Sequence, residues 1–178
     1  AAYGWGSNRL GQVGAPDVEL WSWTPVAVAG GRSFASIDVG TPNNIYGPYV
    51  SCALTGSGDA YCWGTNPDEL IAGGDETCGG IEGDTHYSFP CVRVPTRVAP
   101  GIRFAQISVG TGFICGVTGD GEAWCWGKGE QGQLGNGQSA TSSAPVRVSG
   151  GHRFAMVSAG ARHACALAAD GGAWCWGE

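Results

Sequence analysis

The chain has 178 residues, of which 33 are glycine, 8 cysteine and 8 tryptophan, and only 13% are charged. That length supports one domain with a core. A formal net charge of −6 and the lack of any basic cluster argue against a nucleic-acid partner, whose affinity rests on Lys and Arg at phosphates. No apolar run approaches the roughly 20 residues a membrane helix needs, so no transmembrane segment is expected. The sequence carries no initiator Met and no signal peptide, and reads as a mature chain or an excerpt of one.

The elements repeat in chain order. AAYGWG at Ala1–Gly6 is the trace of a strand, followed by the glycine-rich turn WGSNRLGQVG at Trp5–Gly14. A proline-led strand, Pro25-Val26-Ala27-Val28, precedes GGRSFASIDVG at Gly30–Gly40. After an insertion comes CALTGSGDAYCWG at Cys52–Gly64. A long insert, Thr65–Pro90, then leads into Pro95–Val98, Pro100–Gly110 and a second such hairpin at Cys115–Gly127. Pro145–Val148, Gly150–Gly160 and Cys165–Gly177 close a third round. Each unit thus predicts four short strands, and a four-stranded period of about this length indicates stacked propeller blades. The repeats run about 7–64, 65–127 with the insert at 65–91, and 128–177, within one domain spanning 1–178.

The hairpin register follows from its glycine. Gly58, Gly121 and Gly171 suit a bulge position with positive φ, which glycine adopts without a Cβ clash. Counting outward then sets Cys52 opposite Cys62, Cys115 opposite Cys125 and Cys165 opposite Cys175. Cys78 and Cys91, the two left over, lie in the insert and are expected to pair with each other. Paired cysteines indicate an oxidising compartment: secreted, periplasmic or at a cell surface. Trp124 and Trp126 alternate with Cys125 and share a face, where packing between blades is expected and carbohydrate stacking is the alternative.

The motifs WGxNxxGQxG, PVxV, FAxVSAG, HxCAL and DGxAxCWG resemble the regulator of chromosome condensation repeat, in its cysteine-containing bacterial version. The resemblance implies a seven-bladed β-propeller, of which about three blades plus one strand are present. The family includes a secreted inhibitory protein of β-lactamases with this fold. Its eukaryotic founder is a nuclear guanine-nucleotide exchange factor; the acidic charge and paired cysteines argue against carrying that activity over. Such an arc leaves two bare sheet faces, so further blades of the same chain or complex, or a bound protein, are expected to cover them.

No nucleophile, phosphate-loop, dinucleotide or zinc-protease motif appears, and no cofactor is implied. His86 lies in the insert near the cysteines, but cystine sulfur cannot hold zinc. The insert also carries Asp68, Glu69, Asp75, Glu76, Glu82 and Asp84, oxygens that calcium could use, though at no known calcium-loop spacing. Both insertions should project from a rim, where loops on a rigid scaffold carry binding. Their aromatic residues, Tyr46, Tyr49, Tyr87 and Phe89, are the candidate contacts for a protein partner, or else pin the loops to the scaffold. The reading is a non-enzymatic binding or structural module; the alternative is a lectin-like or enzymatic propeller using its central face.

Overall fold

Glycine places the hairpins where the counting expects them. Gly58, Gly121 and Gly171 have φ of +81°, +87° and +89°, and the turn before Gly58 closes with its N–H on the Thr55 carbonyl at 2.9 Å. The structure, a computed structural model, describes residues 1–40, 49–66, 69–73, 76–82 and 85–178. Among them fourteen strands follow in order: β1 Tyr3–Ser7, β2 Trp21–Ala27, β3 Ser36–Val39, β4 Val50–Leu54 and β5 Ala60–Thr65. Then come β6 Glu76–Glu82, β7 Thr85–Val98, β8 Phe104–Val109, β9 Phe113–Thr118 and β10 Ala123–Gly127. The last are β11 Ser142–Arg147, β12 Phe154–Ala159, β13 His163–Ala168 and β14 Ala173–Gly177.

These strands form antiparallel sheets of a β-propeller. Two blades have all four strands, β3-β4-β5-β7 and β8-β9-β10-β11. They are flanked by β1-β2 on one side and β12-β13-β14 on the other. The insert adds β6 to the outer edge of the second blade, because β7 runs 14 residues and pairs with β5 and β6 in turn. Each blade straddles two sequence repeats: the proline-led strand pairs back onto the preceding Cys-Trp-Gly arm, as β7 does on β5 and β11 on β10. The two units are thereby interlocked by main-chain hydrogen bonds as well as by apolar contact.

All four expected disulfides are present. Cys52 pairs with Cys62, Cys115 with Cys125 and Cys165 with Cys175, each across directly opposed residues with Cα atoms 4.1 Å apart. Cys78–Cys91 ties β6 to β7. Each hairpin bridge closes a small loop in the unfolded chain, worth roughly 2.5–3 kcal/mol in the chain-entropy account.

The cores lie between sheets. Val50, Leu54, Ile107, Val109 and Trp126 meet between the second and third blades, and Phe113, Val117, Leu134 and Val157 between the third and fourth. The Trp of each Trp-Gly pair is the peg. In the first three blades the register slips by one residue at this position, a bulge that re-aims the side chain. Trp63 donates its indole N–H to the Gln12 carbonyl at 3.0 Å, Trp126 to Leu70 at 3.2 Å and Trp176 to Gln133 at 2.9 Å. Every acceptor belongs to the turn of the preceding blade. Glycine is required there: a Cβ at Gly14 would lie 2.7 Å from the Trp63 indole, and one at Gly135 2.8 Å from that of Trp176.

Side chains stitch the blades a second way. Asp59, after the hairpin glycine, pairs with Arg97 on its own sheet and Arg103 at the entry to the next. Glu122 repeats the arrangement with Arg147 at 2.7 Å and Arg153 at 3.3 Å. On the inner strands, the Asp38 carboxylate accepts the Val109 N–H at 2.7 Å, and the Ser108 hydroxyl accepts that of Ala159 at 3.1 Å. Gln106 does both jobs at Val157, accepting its N–H and donating to its carbonyl, each at 2.8 Å.

Candidate binding surface

The candidate surface is built where the β6–β7 hairpin meets the turn after β1. That turn is rigid because the fully buried Asn8 closes it. Its Oδ1 accepts the Val13 N–H at 2.9 Å, while its Nδ2 donates to the Ala15 carbonyl at 3.0 Å and to Val18. Asn66 does the same at the start of the insert, bonding both the N–H and the carbonyl of Ile71 at 2.8 and 2.7 Å. The two asparagines follow Trp-Gly at equal spacing, so one local motif holds both turns.

Three of the four sequence-predicted aromatic residues come together here. Tyr49, Tyr87 and Phe89 are half-buried around Leu10 and the Cys78–Cys91 bridge. The Tyr87 and Phe89 rings are 6.2 Å apart, tilted by 41°. Tyr46 lies outside the described residues. The cluster is thus an anchor for the hairpin on its buried side and a partly open aromatic ridge on the other. It is held from both insertions, since the Tyr49 N–H donates to the Thr65 hydroxyl at 2.6 Å.

Sequence reasoning missed Arg9. Its guanidinium lies 4.4 Å over the Trp21 ring, and Nη1 donates to the Tyr87 hydroxyl at 3.2 Å. A cavity of about 310 Å³ opens between them, lined by Ser7, Arg9, Leu10, Trp21, Tyr49 and Tyr87. Arg9 was readable as a basic residue in a Trp-Gly turn; its partners lie far away in sequence and could not be counted from spacing. Of the acidic residues of the insert, Asp68, Asp75 and Asp84 lie outside the described residues, while Glu69 and Glu76 are exposed. Among the described residues no three His, Cys, Asp or Glu side chains converge to hold a metal.

The hairpin turns carry the perturbed carboxylates. Asp59 is held below its ordinary value, first by the Ser57 hydroxyl that donates to it at 2.8 Å and then by Arg103 and Arg97, against some desolvation. Asp120 is lowered likewise, mainly by the Thr118 hydroxyl. Both stay charged near neutrality and support salt bridges between blades, a structural use.

Comparison with known proteins fits this geometry. The family model described as "Regulator of chromosome condensation (RCC1) repeat" matches residues 120–167, and a second of the same description matches 104–133 and 157–178. Residues 104–178 match regulator of chromosome condensation repeats. It is 32% identical over 140 residues to the ultraviolet-B receptor UVR8 of Arabidopsis thaliana, covering 78% of this chain and 28% of that protein. Human WBSCR16 superposes with a TM-score of 0.74 at 18% identity, over 99% of this chain and 43% of that one. Prp20p of Saccharomyces cerevisiae superposes at 0.67 and 23% identity, over 88% and 37%. A second structure of that yeast protein, bound to Kap60, gives 0.68 at 20% identity, over 98% and 39%. The chain spans less than half the length of each of these proteins. No helix among the described residues is long and apolar enough to cross a membrane, and the four disulfides are consistent with an oxidising compartment.

Proposed function

We propose that the chain is a non-enzymatic binding module of an oxidising compartment, secreted, periplasmic or at a cell surface, that presents its β6–β7 rim to a protein partner. One observation carries the reading. The insert is a disulfide-locked hairpin whose half-exposed Tyr87 and Phe89 stand beside Tyr49 on a scaffold stitched by repeated pegs and salt bridges. A rigid aromatic ridge loses little conformational entropy on docking, and aromatic side chains dominate the energetics of protein contacts. Repeat propellers of this family supply the precedent: yeast Prp20 has been captured with Kap60 and studied for binding to Gsp1p and histones.

The test is site-specific photocrosslinking in the native extract. A photoreactive phenylalanine replaces Phe89 in one version and the exposed Gln138, on a different turn, in another. One protein adduct of defined mass from position 89 and none from 138 is expected. Equal adducts at both positions, or none at 89, would sink the reading.

A further inference from the structure

The turns after β1 and β10 share one scaffold but not one set of side chains. Gln12 Oε1 accepts the Leu10 N–H at 2.9 Å, and Gln133 Oε1 accepts the Gln131 N–H at 2.9 Å. Counting from Trp5-Gly6 and Trp126-Gly127, Arg9 stands where the third blade has Glu130, and Leu10 where it has Gln131. Trp21 precedes Ser22, which faces Gly6, just as Thr141 precedes Ser142, which faces Gly127. Glu130 and Thr141 are both exposed. The turn thus folds without an arginine or an aromatic ring at these places, and blade packing does not account for Arg9 and Trp21.

These side chains enclose the cavity of about 310 Å³ beside the β6–β7 hairpin. Three kinds of group line it. Trp21, Tyr49 and Tyr87 give aromatic surface, Ser7 and Gln12 a hydroxyl and an amide, and Arg9 the charge. No acidic side chain lines it among the described residues. Arg97, Arg103, Arg147 and Arg153 each meet a carboxylate at a blade joint, whereas Arg9 has no such partner among the described residues. One Nη1 donor reaches the Tyr87 hydroxyl, and the Nε–H is buried with no acceptor among the described residues. A guanidinium carries its donors in a planar fork that matches a carboxylate, and here that fork lacks its counter-charge.

We propose that this cavity binds a hexuronate unit of an acidic glycan. Arg9 holds the carboxylate, the aromatic walls pack on the C–H face of the sugar ring, and Ser7 and Gln12 bond its hydroxyls. Size, charge and lining choose this ligand among carboxylates. The volume is room for about ten waters at about 30 Å³ each, which a sugar ring with its substituents fills and an Asp or Glu side chain does not. A net charge of −6 disfavours multiply charged ligands, while one carboxylate on an otherwise neutral ring meets one guanidinium. Aromatic walls with a few convergent polar groups suit a ligand with apolar faces and a polar edge. The inference shares Tyr49 and Tyr87 with the rim reading but does not rest on it.

The test is proton–nitrogen-15 NMR of the 178-residue protein. The Trp21 indole N–H, assigned with Trp21→Phe, is followed as methyl galacturonoside and methyl glucuronoside are added. A saturable shift with a Kd of about 1 mM is expected for at least one of them, as for a ligand of this size. The methyl glycosides of galactose and glucose carry a hydroxymethyl group in place of the carboxylate. They should bind about tenfold more weakly or worse, and so should the uronoside to Arg9→Gln. Unmoved indole signals of the buried Trp63 and Trp126 report the fold of that variant. The charged and neutral glycosides are compared on the wild type, so they decide the matter even if the variant misfolds. The proposal is overturned by no saturable shift with either uronoside, by equal affinity for the neutral glycosides, or by affinity retained in folded Arg9→Gln. It is overturned too if acetyl-glutamate methylamide binds as tightly, which would make the occupant an acidic protein side chain, or if only the free uronic acid binds. A failed crosslink at Phe89 would sink the rim reading and leave these outcomes unchanged.

Discussion

Trp126→Ala tests the peg that joins the blades. The indole is buried to 1%, leans on Phe104 with ring centroids 6.0 Å apart, and donates to the Leu70 carbonyl at 3.2 Å. About 200 Å² of ring at about 25 cal/mol per Å² represents about 5 kcal/mol of burial, in line with the roughly 3–5 kcal/mol seen for large-to-small aromatic truncations. The stranded carbonyl adds about 1 kcal/mol. Domains of this size lose roughly 2–4 °C per kcal/mol, so the melting midpoint should fall by some ~10–20 °C. Trp5→Ala is the internal control. Trp5 has the same repeat position but stands exposed among the described residues, and in this 178-residue chain its loss should cost within about 0.5 kcal/mol. Differential scanning calorimetry of the two variants beside the wild type decides the matter. Equal shifts, or no shift for Trp126→Ala, would show that blade packing does not run through these indoles.

Three further outcomes are expected. Asp38→Ala leaves the buried-side Val109 N–H without its acceptor and should destabilise by about 1–3 kcal/mol, while Asp38→Asn, which keeps an acceptor oxygen, should recover most of it in urea unfolding. Asp59 has a depressed folded-state pKa, so its contribution is present above the unfolded value of about 3.9 and is lost as pH falls through the lower folded value. Asp59→Asn should therefore flatten the acid limb of a stability–pH curve below about pH 4 and leave its shape near neutrality unchanged. Finally, Cys175 is exposed whereas the Cys52–Cys62 and Cys115–Cys125 bridges are fully buried. Mild reduction followed by alkylation and mass mapping should label Cys165 and Cys175 first; simultaneous labelling of Cys52 or Cys115 would contradict the burial argument.

The hairpins were legible because their determinants are local. A glycine needing positive φ fixes the bulge, and the strand period of two then places cysteine on cysteine. The insert was legible only in part. Its cysteines could be paired, but nothing in Thr65–Pro90 announced that β7 would run unbroken from Thr85 into the proline-led strand. That strand exists because β5 and β6 each offer it an edge, a fact of neighbours rather than of propensity. Arg9 escaped notice for the same reason: Tyr87 is 78 positions away. The inner-strand bridges left a trace that could have been followed. Asp38, Ser108 and Ser158 recur at one repeat position, each between two apolar residues.

By itself, then, the sequence determined the repeat, the register of the three Cys-Trp-Gly hairpins and their three cystines. Each depends on residues a few positions apart, whose geometry is set by backbone sterics and the two-residue period. Tertiary structure alone decided which copies of a repeated residue are buried. Trp5 and Trp126, or Ile37 and Ile107, are alike in sequence and local conformation, yet one of each is exposed and the other is core. Burial is a property of the adjoining sheet, because apolar surface leaves water only when another surface arrives to cover it.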